Sequence, residues 1–296
     1  MSQRLPDYLT TREVADLIRL KERKVYDLVA SGEIPFVRVT GKLLFPRPLI
    51  EAWLMRHAEF GGGLESLVRR PPICLGSHDL LLDWALREAD TGIAVGFGGS
   101  LDGLERFGRG EGMMAGLHVP EGEGTWNREH VAGRLPGQPV VLIEWARRQQ
   151  GLIVPAGNPA SLKSAADLAG RRVALRQAQS GTFVLLERLL AAAGLDVAAL
   201  ERSLPPALTQ SDVALAVAEG RAEAGFGIAA VAKQYRLGFV PLAEERYDLL
   251  VWRAAYFDPP LQKLMAFTRT DRFNAKAAEL GGYDVAGLGR VHYNAP

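Results

Sequence analysis

Three consecutive glycines followed by a proline pair divide this chain before any other feature is considered. In "FGGGLESLVRRPP", residues 60–72, the glycines carry high backbone entropy and the prolines stiffen the exit, a pattern of linkers rather than of a core. About sixty residues precede the break, and the remainder alternates apolar strand-like runs with helix-like ones. A chain of 296 residues has room for two domains. The expected division is a domain over 1–60, a linker over 61–72 and a second domain over 73–296.

The first segment has a readable order. Thr10 followed by Glu13 fits a capping box opening "TTREVADLI", with Val14, Leu17 and Ile18 at helical spacing. A second helix, "ERKVYDLVASG", stops near Gly32. "FVRVTGKLLF" alternates across Thr40–Gly41 as a hairpin should, and Pro46 and Pro48 introduce a third helix, "LIEAWLMRHA". The segment "YLTTREVADLIRLKERKVYDLVASGEIPFVRVTGKLLFPRPLIEAWL" resembles the excisionase and MerR-type DNA-binding family, a winged helix-turn-helix fold. That resemblance implies a second helix entering the major groove with Arg23, Lys24 and Tyr26 near DNA, while Arg38, Lys42 and Arg47 lie on or beside the wing. Charge alone would not argue this, because residues 1–60 hold ten Lys or Arg against eight Asp or Glu. Modest local charge predicts weak binding by one copy, so a homodimer or higher homo-oligomer reading a repeated site is expected.

Bulk properties narrow the setting. A net charge of +1 confines any nucleic-acid contact to a local patch. The single cysteine, Cys74, cannot form an internal disulfide and suits a reducing compartment. The opening "MSQRLPDYLTTREVADL" lacks an apolar signal core, and no run approaches ~18 uninterrupted apolar residues. The expectation is a cytoplasmic protein without a membrane partner.

From residue 73 onward two passages share a layout. "LERFGRGEGMMAGLH" (104–118) and "LAVAEGRAEAGFGI" (215–228) each run from helix through Gly and charged residues into a small-residue strand. Three strand-to-helix turns carry hydroxyls: "ICLGSHDLLLDWAL" with Ser77, "IAVGFGGSLDGL" with Ser100, and "VALRQAQSGTFVLL" with Ser180, Gly181 and Thr182. One such turn is only a helix cap. Three of them, from two α/β lobes, could converge where ligands gather in open α/β sheets. Hydroxyls and helix-start N–H groups suit a small oxyanion, with Arg176 adding charge and His78 and His118 beside the turns.

This segment resembles the periplasmic-binding-protein-like domains (type II) related to bacterial molybdate-binding receptors. The marks are "GSHD", "GGSLDGLERFGRGEGMMAGLH", "GLIVPAGNP", "RQAQSGT", "SDVALAVAEGRAEAGFGI" and "PLAEERYDLLV". The resemblance implies two lobes, lobe I about 73–140 and 240–296 and lobe II about 141–239, with molybdate, tungstate or a molybdenum-cofactor-related compound as ligand. Arg176 would be unusual in a site of neutral donors only and leaves room for an organic anion, on which Trp126 or Tyr247 could stack.

Enzymatic signatures are missing. "GSHD" is not G-x-S-x-G, Ser77, His78 and Asp79 are sequence neighbours rather than a triad, and "GFGGS" has the wrong third-glycine spacing for a dinucleotide turn. The five histidines lack H-x-x-x-H spacing, so neither a metal cation site nor a cofactor is expected. The expected function is transcription regulation in response to an oxyanion, without catalysis. The competing class is a cytosolic solute-binding protein whose N-terminal segment docks a protein partner.

Overall fold

In the computed structural model, which describes residues 7–57, 69–122, 124–201 and 204–295, the Thr10–Glu13 capping box is present. Glu13 N–H donates to Thr10 Oγ1 at 3.3 Å and Thr10 N–H donates to Glu13 Oε2 at 2.8 Å. It starts α1 (Thr11–Leu17), which follows the short strand β1 (Tyr8–Leu9). After a turn comes α2 (Glu22–Ala30), stopped at Gly32 with φ 71°. The hairpin β2 (Val37–Val39) and β3 (Lys42–Pro46) turns through Thr40 and Gly41, both at positive φ, 47° and 83°. Two positive-φ residues form the turn whose twist matches paired strands. Helix α3 (Arg47–His57) follows directly. Strand β1 pairs with β3 as well, giving a three-stranded sheet in the order β1-β3-β2. Its β1 strand went unread because two residues carry no periodicity. Leu9, Val14, Val25, Ile34, Phe45 and Ile50 form the small core.

The chain forms two compact units, Met1–Val68 and Arg69–Pro296. Of the expected linker, residues 61–68 lie outside the described residues.

The second unit begins with β4 (Ile73–Gly76), α4 (Leu80–Glu88), β5 (Ala94–Phe97), α5 (Ser100–Gly108), β6 (Met114–Leu117) and α6 (Arg128–Arg134). A 15-residue strand, β7 (Val140–Val154), leads to β8 (Val173–Ala174), α7 (Gly181–Ala192), α8 (Gln210–Ala218), β9 (Ala224–Ile228) and α9 (Ala229–Gln234). A second 15-residue strand, β10 (Gly238–Trp252), returns the chain to α10 (Pro259–Phe267), α11 (Asp271–Leu280), β11 (Tyr283–Asp284) and β12 (Val291–Asn294). The sheet order is β5-β4-β6-β10-β7-β9-β8, with β11 and β12 also paired to β7.

Two lobes emerge from one rule applied twice. In lobe I, parallel β4 and β6 meet antiparallel β10; in lobe II, parallel β8 and β9 meet antiparallel β7. The repeated passages are the helix-to-strand units α5–β6 and α8–β9. Lobe I packs Leu75, Phe107, Trp145, Trp252 and Phe273, whereas lobe II packs Leu152, Leu186, Leu190 and Phe226. Side chains of this size each contribute about 1.5–3 kcal/mol when fully buried. Strands β7 and β10 serve both cores, so the chain passes between lobes in mid-strand. At that crossing the apolar runs are interrupted by Arg148, Gln150 and Glu245, all buried.

Candidate functional site: a buried hydroxyl cluster between the lobes

The three hydroxyl-bearing turns meet. Ser77 follows β4, and its Oγ stands 2.9 Å from the Oγ of Ser100, the first residue of α5. His118, just beyond β6, donates its backbone N–H to Ser100 Oγ at 3.1 Å, and its Nε2 lies 3.0 Å from Ser77 Oγ. From lobe II, the start of α7 closes on the same point. Gln177 donates to Gly98 O at 3.0 Å, and Leu101 N–H donates to Gln179 O, also at 3.0 Å. A Cβ on Gly181 would stand 2.5 Å from His118 O and 2.9 Å from its ring, so only glycine allows this approach. Gly99 is constrained likewise, with φ 113° and space for a Cβ only 2.9 Å from Gln179 O.

Each turn residue has a distinct role. Ser180 is the N-cap of α7, accepting from Phe183 N–H at 3.1 Å. Its position is therefore required by the helix whether or not a ligand is present. Thr182 Oγ1 accepts from Gln210 at 2.7 Å and from Gln150 at 3.5 Å, which leaves its own hydrogen to donate. The opposite ends of both amides, Gln150 Oε1 and Gln210 Oε1, are buried without a hydrogen-bond partner among the described residues. His78 joins neither serine; its ring packs edge-on against Phe97, with Nε2 3.8 Å from Asp83. Burial holds its pKa below the ordinary histidine value, against the pull of Asp79 and Asp83.

Behind the hydroxyls runs a charged chain that sequence reading missed. His118 Nδ1 lies 2.7 Å from Glu245 Oε2; Glu245 pairs with Arg148, and Arg148 donates to Asp79 at 2.8 Å. Asp79 caps α4 through Leu82 N–H and also accepts from Trp145 and Tyr283, at 3.1 and 2.6 Å. Burial would raise the Glu245 pKa, but Arg148 and His118 outweigh it and hold the carboxyl down at about 2. Arg148 is desolvated too, yet Glu245 and Asp79 push its pKa above the ordinary arginine value. The available signal was two polar runs, "ARRQQG" and "AEERYD", inside otherwise apolar strands. Ser77, His118 and Glu245 also stand in the order of a nucleophile relay, an arrangement that the adjacent Ser77, His78 and Asp79 did not foreshadow.

Arg176 differs from Arg148. Its guanidinium donates to Gln177 Oε1, Ala207 O and Leu208 O at 3.1, 3.2 and 2.9 Å. It is 5% exposed. Burial lowers its pKa to about 10, and Asp212 only partly offsets that effect. Its charge reaches both His78 and His118.

The two aromatic residues that could stack on a ring-shaped ligand are occupied. Tyr247 is fully buried, donates its hydroxyl to Ser77 O, stacks on His118 at 5.7 Å and lies under the Arg148 guanidinium. Trp126 belongs to the lobe II core.

In the N-terminal unit, Arg23, Lys24 and Tyr26 are exposed along α2, and Arg38 and Lys42 are exposed on the wing. Tyr26, Arg38 and Lys42 line a surface hollow of about 810 Å³ together with Arg12, which the sequence reading did not single out. Arg47, at the start of α3, is largely covered and lies 3.6 Å from Glu51.

These features define a helix-turn-helix module joined to a two-lobed binding domain. Residues 84–269 match the PBP superfamily domain, well over half of the chain, and residues 8–58 match a helix-turn-helix domain. The chain belongs to the PBP superfamily and carries an N-terminal helix-turn-helix domain. It is 26% identical over 299 residues to the uncharacterized protein YvgK of Bacillus subtilis, covering 95% of this chain and 96% of that one. Among solved structures it is similar to the sulfate-binding protein SubI of Mycobacterium tuberculosis, with TM-score 0.53, 13% identity, and coverage of 72% of this chain and 86% of that one. It is also similar to Corynebacterium glutamicum OxyR, with TM-score 0.50, 10% identity, and coverage of 92% and 89%. At such identities the likeness is one of fold.

Proposed function

We propose that this protein is a one-component transcription regulator: the helix-turn-helix reads DNA, and the cleft between the lobes takes a small tetrahedral oxyanion. The observation that carries the reading is Arg176, a buried guanidinium held by carbonyl oxygens at the turn that also presents Ser180 and Thr182. A buried charge without a close counter-ion is costly, and an anion between the two helix starts relieves that cost. Molybdate and tungstate are the first candidates by resemblance, with sulfate next because a fold neighbour is a sulfate-binding protein. A pterin-sized ligand is disfavoured, since the faces of Tyr247 are taken by His118 and Arg148.

No catalytic step is assigned. Ser77 is buried and its hydroxyl is shared between His118 and Ser100. The regulator acts in the cytoplasm as a homo-oligomer, and anion binding changes the spacing of its reading heads. Thermal-shift measurements with molybdate, tungstate, sulfate and phosphate test the ligand. At ~100-fold above the dissociation constant the true ligand adds about 2.7 kcal/mol of stability. Absence of any shift from ligand-free protein removes the oxyanion reading. A mobility-shift titration on the upstream region of its own gene tests the DNA half, where salt-sensitive, sequence-dependent binding is expected. Binding of a protein partner without DNA binding would favour the docking alternative.

A further inference from the structure

The hydroxyl cluster raises a question of hydrogen-atom supply. Ionised Glu245 can only accept, so His118 Nδ1, 2.7 Å away, carries a proton. In a neutral ring Nε2 is then an acceptor, and Ser77 donates its single hydrogen to it. Ser100, 2.9 Å from Ser77, must in turn donate to Ser77 Oγ to avoid opposing lone pairs. Both hydroxyl hydrogens are then engaged internally, and the buried pair has only lone pairs left to offer a ligand. Lone pairs repel an anion.

A second proton on the ring reverses the chain. Nε2–H donates to Ser77, Ser77 donates to Ser100, and the Ser100 hydrogen is released toward the cleft. Ser100 Oγ already accepts the His118 backbone N–H, so its geometry need not change. Resting on the oxyanion reading above, we infer that the cleft takes up one proton together with its anion, that the proton lands on His118 Nε2, and that Ser77 and Ser100 pass its effect to the ligand as a donated hydrogen bond. His118 is thus a positioning residue: it acts through two serines. The groups facing it are Glu245 and Tyr247 from β10, Arg148 from β7, the two serines, and Gly181 at the start of α7, with Arg176 within electrostatic reach. Burial, with Arg148 and Arg176, lowers the His118 pKa and favours the neutral ring, while Glu245 favours its protonation. A dianion arriving near Arg176 tips that balance toward the imidazolium.

Calorimetry of the full chain with molybdate and with sulfate, which keep their charge between about pH 6 and 8, reads this directly. The expected result is affinity falling about tenfold per pH unit where the free ring is neutral. Heats measured in two buffers of different ionisation enthalpy should report one proton taken up per anion. His118→Gln, which keeps a fixed amide donor near Ser77, should bind with no pH dependence. If that variant does not fold, the buffer comparison on the unaltered protein decides alone. Binding of either anion with pH-independent affinity and no proton uptake overturns the inference but leaves the oxyanion reading standing. Binding of phosphate alone, strengthened by acid, puts the proton on the ligand and also overturns the His118 assignment. No binding of any of the three at any pH removes the oxyanion reading, and the inference with it.

Discussion

The crossing strands and lobe II each bury an arginine near the hydroxyl cluster, in opposite electrical surroundings. Arg148 on β7 lies between Asp79 and Glu245, its charge matched before any ligand arrives. Arg176 beyond β8 is surrounded by carbonyl and amide oxygens, and Asp212 offsets it only through space. Burial opposes both charges; what differs is the compensation. The first arginine holds the lobes' polar crossing together, and the second holds unmatched charge at a helix start. A structural ion pair and an anion subsite are thus told apart by their partners, since the residue type and the burial are the same.

The largest test removes the matched charge. Arg148→Met leaves Asp79 and Glu245 buried without their cation and should cost about 3–5 kcal/mol of stability, read from urea unfolding. Arg176→Met strands no close carboxylate, so stability should hold or rise. Its effect should appear instead as a ~10–100-fold loss of oxyanion affinity, the worth of a charge-assisted bond of about 1.5–3 kcal/mol. If Arg176→Met unfolds the protein while Arg148→Met does not, the contrast between the two sites is wrong. Thr182→Val should cost about 1–3 kcal/mol, because Gln150 and Gln210 lose their shared acceptor in a buried place. Arg23→Ala should leave oxyanion affinity unchanged and reduce the salt dependence of DNA binding by a slope of about 1. The smallest effect concerns pH. Burial lowers the pKa of His118 and His78 in the ligand-free fold, so the unfolded chain binds more protons. Their contribution is complete above about pH 6.5 and is lost as pH falls through the lower folded values, by less than about 1.4 kcal/mol per pH unit for each ring. Denaturation midpoints of the ligand-free protein at pH 7.5 and 5.5 should show the loss, and an added oxyanion should reduce it.

Local chemistry made some features readable in advance. The Thr10–Glu13 cap, the Thr40–Gly41 turn and the Ser180 cap of α7 depend on residues close in sequence, and each sits where its neighbours require, whereas Ser77 and Ser100 bond across the chain to each other and to His118. The same locality says nothing about the partners of Ser77, His78 and Asp79. They are adjacent in the chain, yet only Ser77 faces His118, while Asp79 turns to Arg148 and His78 to Phe97.

The residues behind the site could not be read that way. Glu245 meets His118 across 127 positions of chain and Tyr283 meets Asp79 across 204, distances over which no periodicity carries information. The order of amino acids alone determined where strands end, where helices begin and which turns offer hydroxyl groups, because capping and turn geometry act over a few residues. Only the tertiary structure decided which buried arginine is neutralised and which is not. That choice depends on Glu245, brought opposite Arg148 by the pairing of β7 with β10, and on Asp79 from the turn after β4, and both meetings are settled by the packing of the whole domain.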